Sequence, residues 1–373
     1  MNGYFDHNAT TPLHPAAREA WLRASDKHWH NPSSLYRDAG LASQQLESAR
    51  ERLGTLIGAE AERIVFTSGA TESNNALFAS LPADALVVIS AIEHPSVREA
   101  ARRRNVIELP VNADGVVRAD DLKQLITSKH PALVSVMAAN NESGALQPWR
   151  ELASLCRENG VLFHTDAAQW LGKLDASELG ECDFITGSAH KFGGSKGCGF
   201  LVLPEEDSRL GFIRGGPQEH GRRAGTENYP AIEAMVTALE KISPRSSEVA
   251  QTQSKLRDTF IGEMRMRFDS LRVISESAPR LWNTVLMVMP EHDNLKWLTR
   301  LSRRGFSIST GSACSSGKEG SSVVVTALGA SAEELKRVVR ISSGWDTTAA
   351  DWQALAAAFI EVFEELNRGG RPQ

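Results

Sequence analysis

The chain is 373 residues long, 41% hydrophobic and 23% charged, with a net charge of −5 at pH 7. A chain of this length outgrows a single core, so a large domain with a smaller companion is expected, and the ordinary composition excludes a disordered or low-complexity protein. The slightly acidic balance leaves no basic footprint for direct nucleic-acid binding, and no apolar run approaches the ~20 residues that a membrane-spanning helix needs.

In chain order, the opening "MNGYFDHNATTP" lacks the basic and apolar regions of a secretion signal, so a cytoplasmic protein with no membrane attachment is expected. His28 and His30 in "KHWHNPSS" lack a third ligand, and no metal is expected. "SQQLESARERLGTLIG" places Leu46, Ala49, Leu53 and Leu56 on one helical face, with Gly58 as its C-cap. From about Ile64 to Val202, short apolar runs alternate with amphipathic helical patterns, the signature of βα units and a largely parallel sheet. The arginine run at 102–104 within it reads as a solvated helix face. In "WRELASLCRENG", Cys156 shares an apolar stripe with Trp149, Leu152 and Leu155, which makes it an inert core thiol. The other cysteines, at 182, 198 and 314, complete neither a CxxC pair nor a disulfide framework, so a reducing compartment is expected.

After Ile242, "SPRSSE" reads as a break. A helix, the strand "NTVLMVM", the helix "LKWLTRLSRRG" and a strand leading into "STGSACSSGKEGSS" follow. The closing "DWQALAAAFIEVFEELNR" carries a stripe of Trp352, Leu355, Phe359, Phe363 and Leu366. These elements predict a second, smaller α/β layer.

Five apolar runs each end in a polar cluster: "RIVF" in "TSGATESNN", "ALVVIS" in "AIEHP", "ALVSVM" in "AANNE", "VLFH" in "TDAAQ" and "DFIT" in "GSAHKFGG". Ligands of open parallel sheets bind outside the carboxyl ends of the strands, so all five clusters are expected to line one crevice. Gly69, Ala70 and Thr71 open a helix in the manner of a phosphate site, Asp166 supplies an acid, Lys191 sits in a glycine-bounded loop, and His94 comes from another strand end. A lysine that forms an imine, an acid for a pyridinium nitrogen and a phosphate cradle together describe the needs of pyridoxal phosphate. Taken singly each has a plainer reading: Asp166 as a helix N-cap, Lys191 as a surface lysine, His94 as a hydrogen-bonded loop residue, and the Cys314 stretch as an exposed linker. Only their joint occurrence points to the cofactor.

The motifs "FDHNATTP", "NPSS", "FTSGATESNN", "EHPSV", "NNESG", "HTDAAQ", "GSAHKFGGSKG", "RRAGTEN", "GSACSSG" and "VRIS" resemble, in order and spacing, the cysteine desulfurases of the NifS/IscS type. The resemblance implies fold type I of the pyridoxal-phosphate enzymes, aspartate aminotransferase-like. A large cofactor domain would span residues 14–248, and a small domain would combine 1–13 with 249–373. It further implies that Lys191 holds the cofactor as a Schiff base, that Asp166 pairs with its ring nitrogen, and that Gln169 and Asn141 contact its phenolic oxygen or the substrate. His94 would stack on the ring and shuttle protons, while Ala70, Thr71, Ser188 and His190 would hold the phosphate. Thr226 would reach the phosphate of a neighbouring subunit, which implies a homodimer. Arg340, assisted by Asn31, would clamp the carboxylate of L-cysteine. Cys314 would take the substrate's sulfur as a persulfide, leaving alanine, and pass it to an acceptor protein such as an iron–sulfur scaffold or a thiolation relay, with Lys318 as a candidate to favour its thiolate.

Three departures from that pattern stand out: His220 where an arginine is usual, Ser321 where a proline is common, and the pair Trp345 and Asp346 in a region often more basic, which bears on the acceptor surface. His7 has no assigned role. A class V aminotransferase or a selenocysteine lyase would share Lys191, Asp166 and His94, although a plain transaminase has no need of Cys314. Reading "GSACSSGKEG" as a nucleotide phosphate loop fails on spacing, because Glu319 stands where a magnesium-binding Ser or Thr belongs. A non-catalytic scaffold of the same fold would not need the full set of Lys191, Asp166, His94 and Cys314.

Overall fold

The computed structural model describes residues 3–204, 212–311 and 322–368. The chain enters through α1 (Pro15–Lys27) and α2 (Arg37–Ile57), whose end is closed by Gly58 in the left-handed conformation, φ +69°. A Cβ at Gly58 would lie 1.9 Å from the Ser177 carbonyl, so the position requires glycine for packing as well. The βα region follows: β1 (Ile64–Thr67), α3 (Ala70–Ser80), β2 (Leu86–Ser90), α4 (Pro95–Ala101), β3 (Asn105–Leu109), α5 (Ala119–Lys129) and β4 (Leu133–Ser135). It continues through α6 (Trp149–Glu158), β5 (Leu162–Asp166), β6 (Phe184–Ser188) and β7 (Gly199–Val202).

These strands form one seven-stranded sheet in the order β1-β7-β6-β5-β4-β2-β3. The pairings β3–β2–β4–β5–β6 are parallel, and β7 is antiparallel to both β6 and β1. Only β7 therefore runs against the rest, and the five strand ends singled out in the sequence open on one edge. Side chains alternate between two buried faces: Phe66, Val134, Phe163, Ile185 and Phe200 pack under α2, α6 and the long helix α7 (Tyr229–Ile242), whereas Val65, Val87, Ile89 and Leu201 pack under α3 and α4. Burial on both faces explains why the strands read as continuous apolar runs rather than alternating ones.

The segment "SPRSSE" is not a break. Ser243–Arg245 forms a 3₁₀ turn that joins α7 to α8 (Ser246–Arg267) with helical backbone angles at Ser243 and Ser246. Pro244 enters the first turn of the new helix, where a missing N–H costs little. Beyond it, β8 (Arg272–Val273), β9 (Thr284–Val288), α9 (Asn294–Arg303), α10 (Val323–Ala327), α11 (Ala332–Leu335), β10 (Val338–Ser342) and α12 (Ala349–Arg368) build the second layer, with β10-β9-β8 antiparallel. Trp352, Leu355, Phe359 and Leu366 of the expected stripe are buried there with Trp297 and Met287, and Phe363 packs against them from a half-buried position. The expected strand before Cys314 is reduced to single bridges, Ser307 to Tyr4 and Ser309 to Arg340. No described helix is long and apolar enough to cross a membrane.

Two buried polar assemblies lock this arrangement. Arg50 of α2 and Glu219, both nearly inaccessible, form a bidentate pair at 2.8 and 3.0 Å, and Glu219 also accepts the N–H of Phe66 in β1 at 2.8 Å. Asn8 joins the N-terminal segment to both layers. Its Nδ2 donates to the Asn141 carbonyl (3.2 Å) and Thr284 Oγ1 (2.8 Å), its Oδ1 accepts from Asn283 (2.9 Å), and its N–H donates to Ser342 Oγ (3.0 Å).

Glu219→Ala, which leaves Arg50 only the half-exposed Glu47 and the Ile64 carbonyl and frees the Phe66 N–H, is expected to lower the unfolding free energy by about 2–4 kcal/mol, whereas Arg50→Met with Glu219→Leu loses less than either single change. Chemical denaturation of the three variants checks this. Asn8→Ala strands buried partners on two elements and should cost about 2–4 kcal/mol in the same measurement.

Candidate active site

A cleft of about 550 Å³ opens at the carboxyl edge of the large sheet, closed on the other side by the small layer. Of the side chains singled out in the sequence, Ala70, Thr71, His94, Asn141, Asp166, Gln169, Ser188, His190, Lys191 and Arg340 line it together. Asn31 and Thr226 do not: both are exposed and lie outside the cleft of their own chain, Asn31 accepting the Ser33 N–H in a local turn. Cys314, Lys318 and Ser321 lie outside the described residues.

Each wall follows from local structure. Gly69, at φ +144°, starts α3 with no side-chain cap, so the first amide groups of the helix face the cleft. The close packing behind it needs glycine at Gly199, where a Cβ would meet Gly69 Cα at 2.6 Å. Ser188 ends β6 beside this helix start, and His190 follows in a short 3₁₀ turn. Burial, with Lys191, Lys196 and Lys173 nearby, pushes the His190 imidazole down to about 4, so it is neutral at pH 7 and free to hydrogen-bond Thr10 at 3.1 Å.

Asp166 ends β5, is 6% exposed, and is held from two sides: Asn74 Nδ2 donates to Oδ2 and the Ala168 N–H to Oδ1, each at 3.0 Å. No helix starts after Asp166, which opens a run of turns instead, so the expected N-cap role does not hold; the Ala168 contact is a local turn that orients the carboxylate without closing it off. His94 caps α4 through Nδ1, which accepts the Ser96 N–H at 3.1 Å. Burial lowers its pKa, so the neutral ring carries its proton on Nε2. Lys191 donates from Nζ to the carbonyls of Asn8 (2.7 Å) and Ala9 (2.8 Å), so the amine is steered by the N-terminal segment. That segment runs beside the lysine turn through Thr11 N–H to the His190 carbonyl and His14 N–H to the Gly193 carbonyl, both 2.8 Å.

From the small layer, Arg340 of β10 is 2% exposed and reaches the cleft. Its Nη2 donates to Asp6 at 2.6 Å, and Nη1 to the carbonyls of Asn141 (3.0 Å) and Gly311 (3.1 Å). Gly311 and Ser322, the described residues flanking 312–321, both meet Glu142: Ser322 Oγ donates to its Oε2 at 2.6 Å, and a Cβ on Gly311 would come within 2.9 Å of the same oxygen. Burial raises the pKa of Glu142.

Asp6, Asn8, Asn74 and Glu142 were not reached by sequence reasoning as site residues. The first two stand in "FDHNATTP" and the last in "NNESG", quoted motifs in which no spacing rule distinguishes a hydrogen-bonding hub from a turn residue. Trp345, expected to bear on a docking surface, turns inward and donates from Nε1 to the Gly172 carbonyl at 2.8 Å, while Asp346 is exposed. His220 lies on the surface at φ +56°, next to the buried Glu219. The remaining described cysteines, 156, 182 and 198, are buried free thiols, and burial pushes Cys156 and Cys198 up to about 12, which makes them inert. Among the described residues no group of three or more His, Cys, Asp or Glu side chains is placed to hold a metal.

Comparison with known proteins agrees with this geometry. Residues 3–355 match the family described as aminotransferase class-V. The cysteine desulfurase IscS of Dictyoglomus turgidum is 34% identical over 97% of this chain and 95% of its own. The solved NifS-like protein of Rickettsia africae ESF-5 superposes with a TM-score of 0.89 at 31% identity, covering 98% of this chain and all of its own. A structure described as SspA in complex with cysteine gives a TM-score of 0.80 at 30% identity, covering 91% of this chain and 98% of that one. A family match that runs nearly end to end, over a fold shared with NifS-like structures, settles membership: the chain belongs to the class-V aminotransferase family, among cysteine desulfurases of the NifS/IscS type.

Proposed function

We propose that this protein is a pyridoxal-phosphate-dependent cysteine desulfurase that converts L-cysteine to L-alanine and loads the sulfur on Cys314 as a persulfide for an acceptor protein. The observation that carries the reading is the convergence of Lys191, Asp166, the uncapped start of α3 and Arg340 on one cleft. The donor set fits the cofactor. Free helix N–H groups with Thr71, Ser188 and His190 suit a phosphate, the Asp166 carboxylate suits a protonated ring nitrogen, and Gln169 with Asn141 suits the phenolic oxygen. When bound at Lys191, pyridoxal phosphate supplies the electron sink that weakens the carbon–sulfur bond of cysteine.

The chain's own residues do the rest. Arg340 binds the substrate carboxylate, its planar fork already oriented by Asp6 and by two backbone carbonyls. His94, neutral with its proton on Nε2, lines the cleft where it would cover the cofactor ring and carry protons between substrate and site. Lys191 holds its amine against the Asn8 and Ala9 carbonyls until it is needed. The Cys314 thiolate attacks the substrate sulfur: an S–S bond forms, the C–S bond breaks, and the electron pair left on carbon takes a proton to become the methyl group of alanine.

The division into 14–248 and 1–13 with 249–373 belongs to the same reading, supported by the separate hydrophobic cores of the two layers and by the bridge of Asp6 to Ser342. The protein would work in the cytoplasm as a homodimer; the dimer is supported by Thr226 lying outside the cleft of its own chain, where a second copy would use it, and by exposed Trp29, Leu35 and Tyr36. An iron–sulfur scaffold or a thiolation relay would receive the sulfur.

Cys314→Ser is expected to cut alanine and sulfide formation from cysteine by more than about 10³-fold, the scale on which loss of a nucleophile acts. Full activity in that variant would remove the desulfurase mechanism through Cys314. Arg340→Lys, losing bidentate geometry, should raise KM for cysteine about tenfold with a smaller change in kcat. Lys191→Ala should abolish the visible absorbance of the protein reconstituted with pyridoxal phosphate. Transfer of radiolabelled sulfur from the persulfide form to candidate small proteins identifies the acceptor.

A further inference from the structure

Lys173 is a lysine 1% exposed, in the turn that follows Asp166, and it is not among the residues lining the cleft. Its Nζ donates to Gln169 Oε1 at 3.0 Å. Gln169 in turn donates from Nε2 to the Asn8 carbonyl at 2.9 Å and lines the cleft. An amide has one accepting and one donating end, so these two partners decide which end faces which way. The donor from Lys173 claims the oxygen, and the second N–H of Nε2 is left for the cleft.

The turn that carries Lys173 is held on three sides. Trp345 donates to the Gly172 carbonyl at 2.8 Å and Trp282 to the Lys173 carbonyl at 2.9 Å, both from the small layer. Gly172, at φ +70°, lies so close to Phe192, the neighbour of Lys191, that a Cβ there would be 2.5 Å from the Phe192 Cβ. The amine is therefore aimed by backbone and indole contacts, and a buried lysine is retained where Met would fill the same volume without a buried polar group.

We propose that Lys173 is a positioning residue for the cofactor, acting through Gln169 so that an amide N–H, and not the amide oxygen, meets the phenolic oxygen of the ring. Its donor survives loss of charge. Burial, reinforced by Lys191 and Arg340, pulls its pKa down to about 7, and a neutral amine still donates to Gln169. The charged or titratable groups that face it are Lys191, Arg340, His7 and His190. This inference rests on the reading that the cleft holds pyridoxal phosphate.

The test uses the full-length chain reconstituted with pyridoxal phosphate, reading cofactor Kd by titration and the pH midpoint of the visible band. Lys173→Met is expected to weaken the cofactor about tenfold and to move the midpoint by about one pH unit, the scale of one lost hydrogen bond to a charged group. Gln169→Leu should do the same, and the double variant should add nothing further. Lys173→Gln, which keeps a donor, should stay within about twofold of the unaltered protein. It guards against a Lys173→Met that fails to fold. Wild-type values in Lys173→Met, a tenfold loss in Lys173→Gln, or additive effects with Gln169→Leu would each overturn the proposal. Absence of a visible band in the unaltered protein, or a band surviving in Lys191→Ala, would strike the cofactor reading itself and this inference with it, so the two failures are told apart.

Discussion

The arrangement depends on Asn8. This side chain, 1% exposed, has its amide donors on one carbonyl and one hydroxyl and its oxygen on a second asparagine, while its own carbonyl accepts from both Gln169 and Lys191. Buried polar groups tolerate no vacancy without a cost near that of a lost hydrogen bond. The two layers and the lysine therefore hold one geometry because a single asparagine satisfies all of them at once. The cleft is a seam between two separate hydrophobic cores, and the N-terminal segment is the stitch.

Around that stitch the site gathers cations. Lys191, Lys173 and Arg340 are close enough for each to affect the next, and the histidines among them are driven toward the neutral form by burial, with neighbouring lysines adding for His7 and His190. Positive charge held by carbonyls and by the Asp6 carboxylate suits a cleft that must take a phosphate and a carboxylate. The same desolvation raises Glu93, the residue before His94, to about 8, so the acids that border the cleft from within the core oppose this field less than their number suggests.

Much of this was legible in the chain. The apolar runs that became β1, β2, β4, β5 and β6 were bounded by polar clusters because parallel strands bury both faces and expose only their ends. The helical stripe of Trp352, Leu355, Phe359 and Leu366 was legible for the same local reason, a period that matches the helix turn. Proline and serine in "SPRSSE" misled because the residue types that end helices also begin them, and here one helix hands over to the next. The segment before Cys314 looked like a strand from composition, but pairing is a property of neighbours, and it found only single bridges.

By itself the amino-acid order determined the βα alternation, the edge on which the polar clusters meet and, through its motifs, the family, since all of these are written in short windows of residues. It did not determine that Glu219 would pair with Arg50, that Asp6 would hold Arg340, that Trp345 would turn inward, or that Trp282 would hold the turn of Lys173. Those were decided by tertiary structure. A buried polar group is fixed by whichever partner the packing brings within 3 Å, and that partner is drawn from segments tens to hundreds of residues away, where periodicity and spacing carry no information.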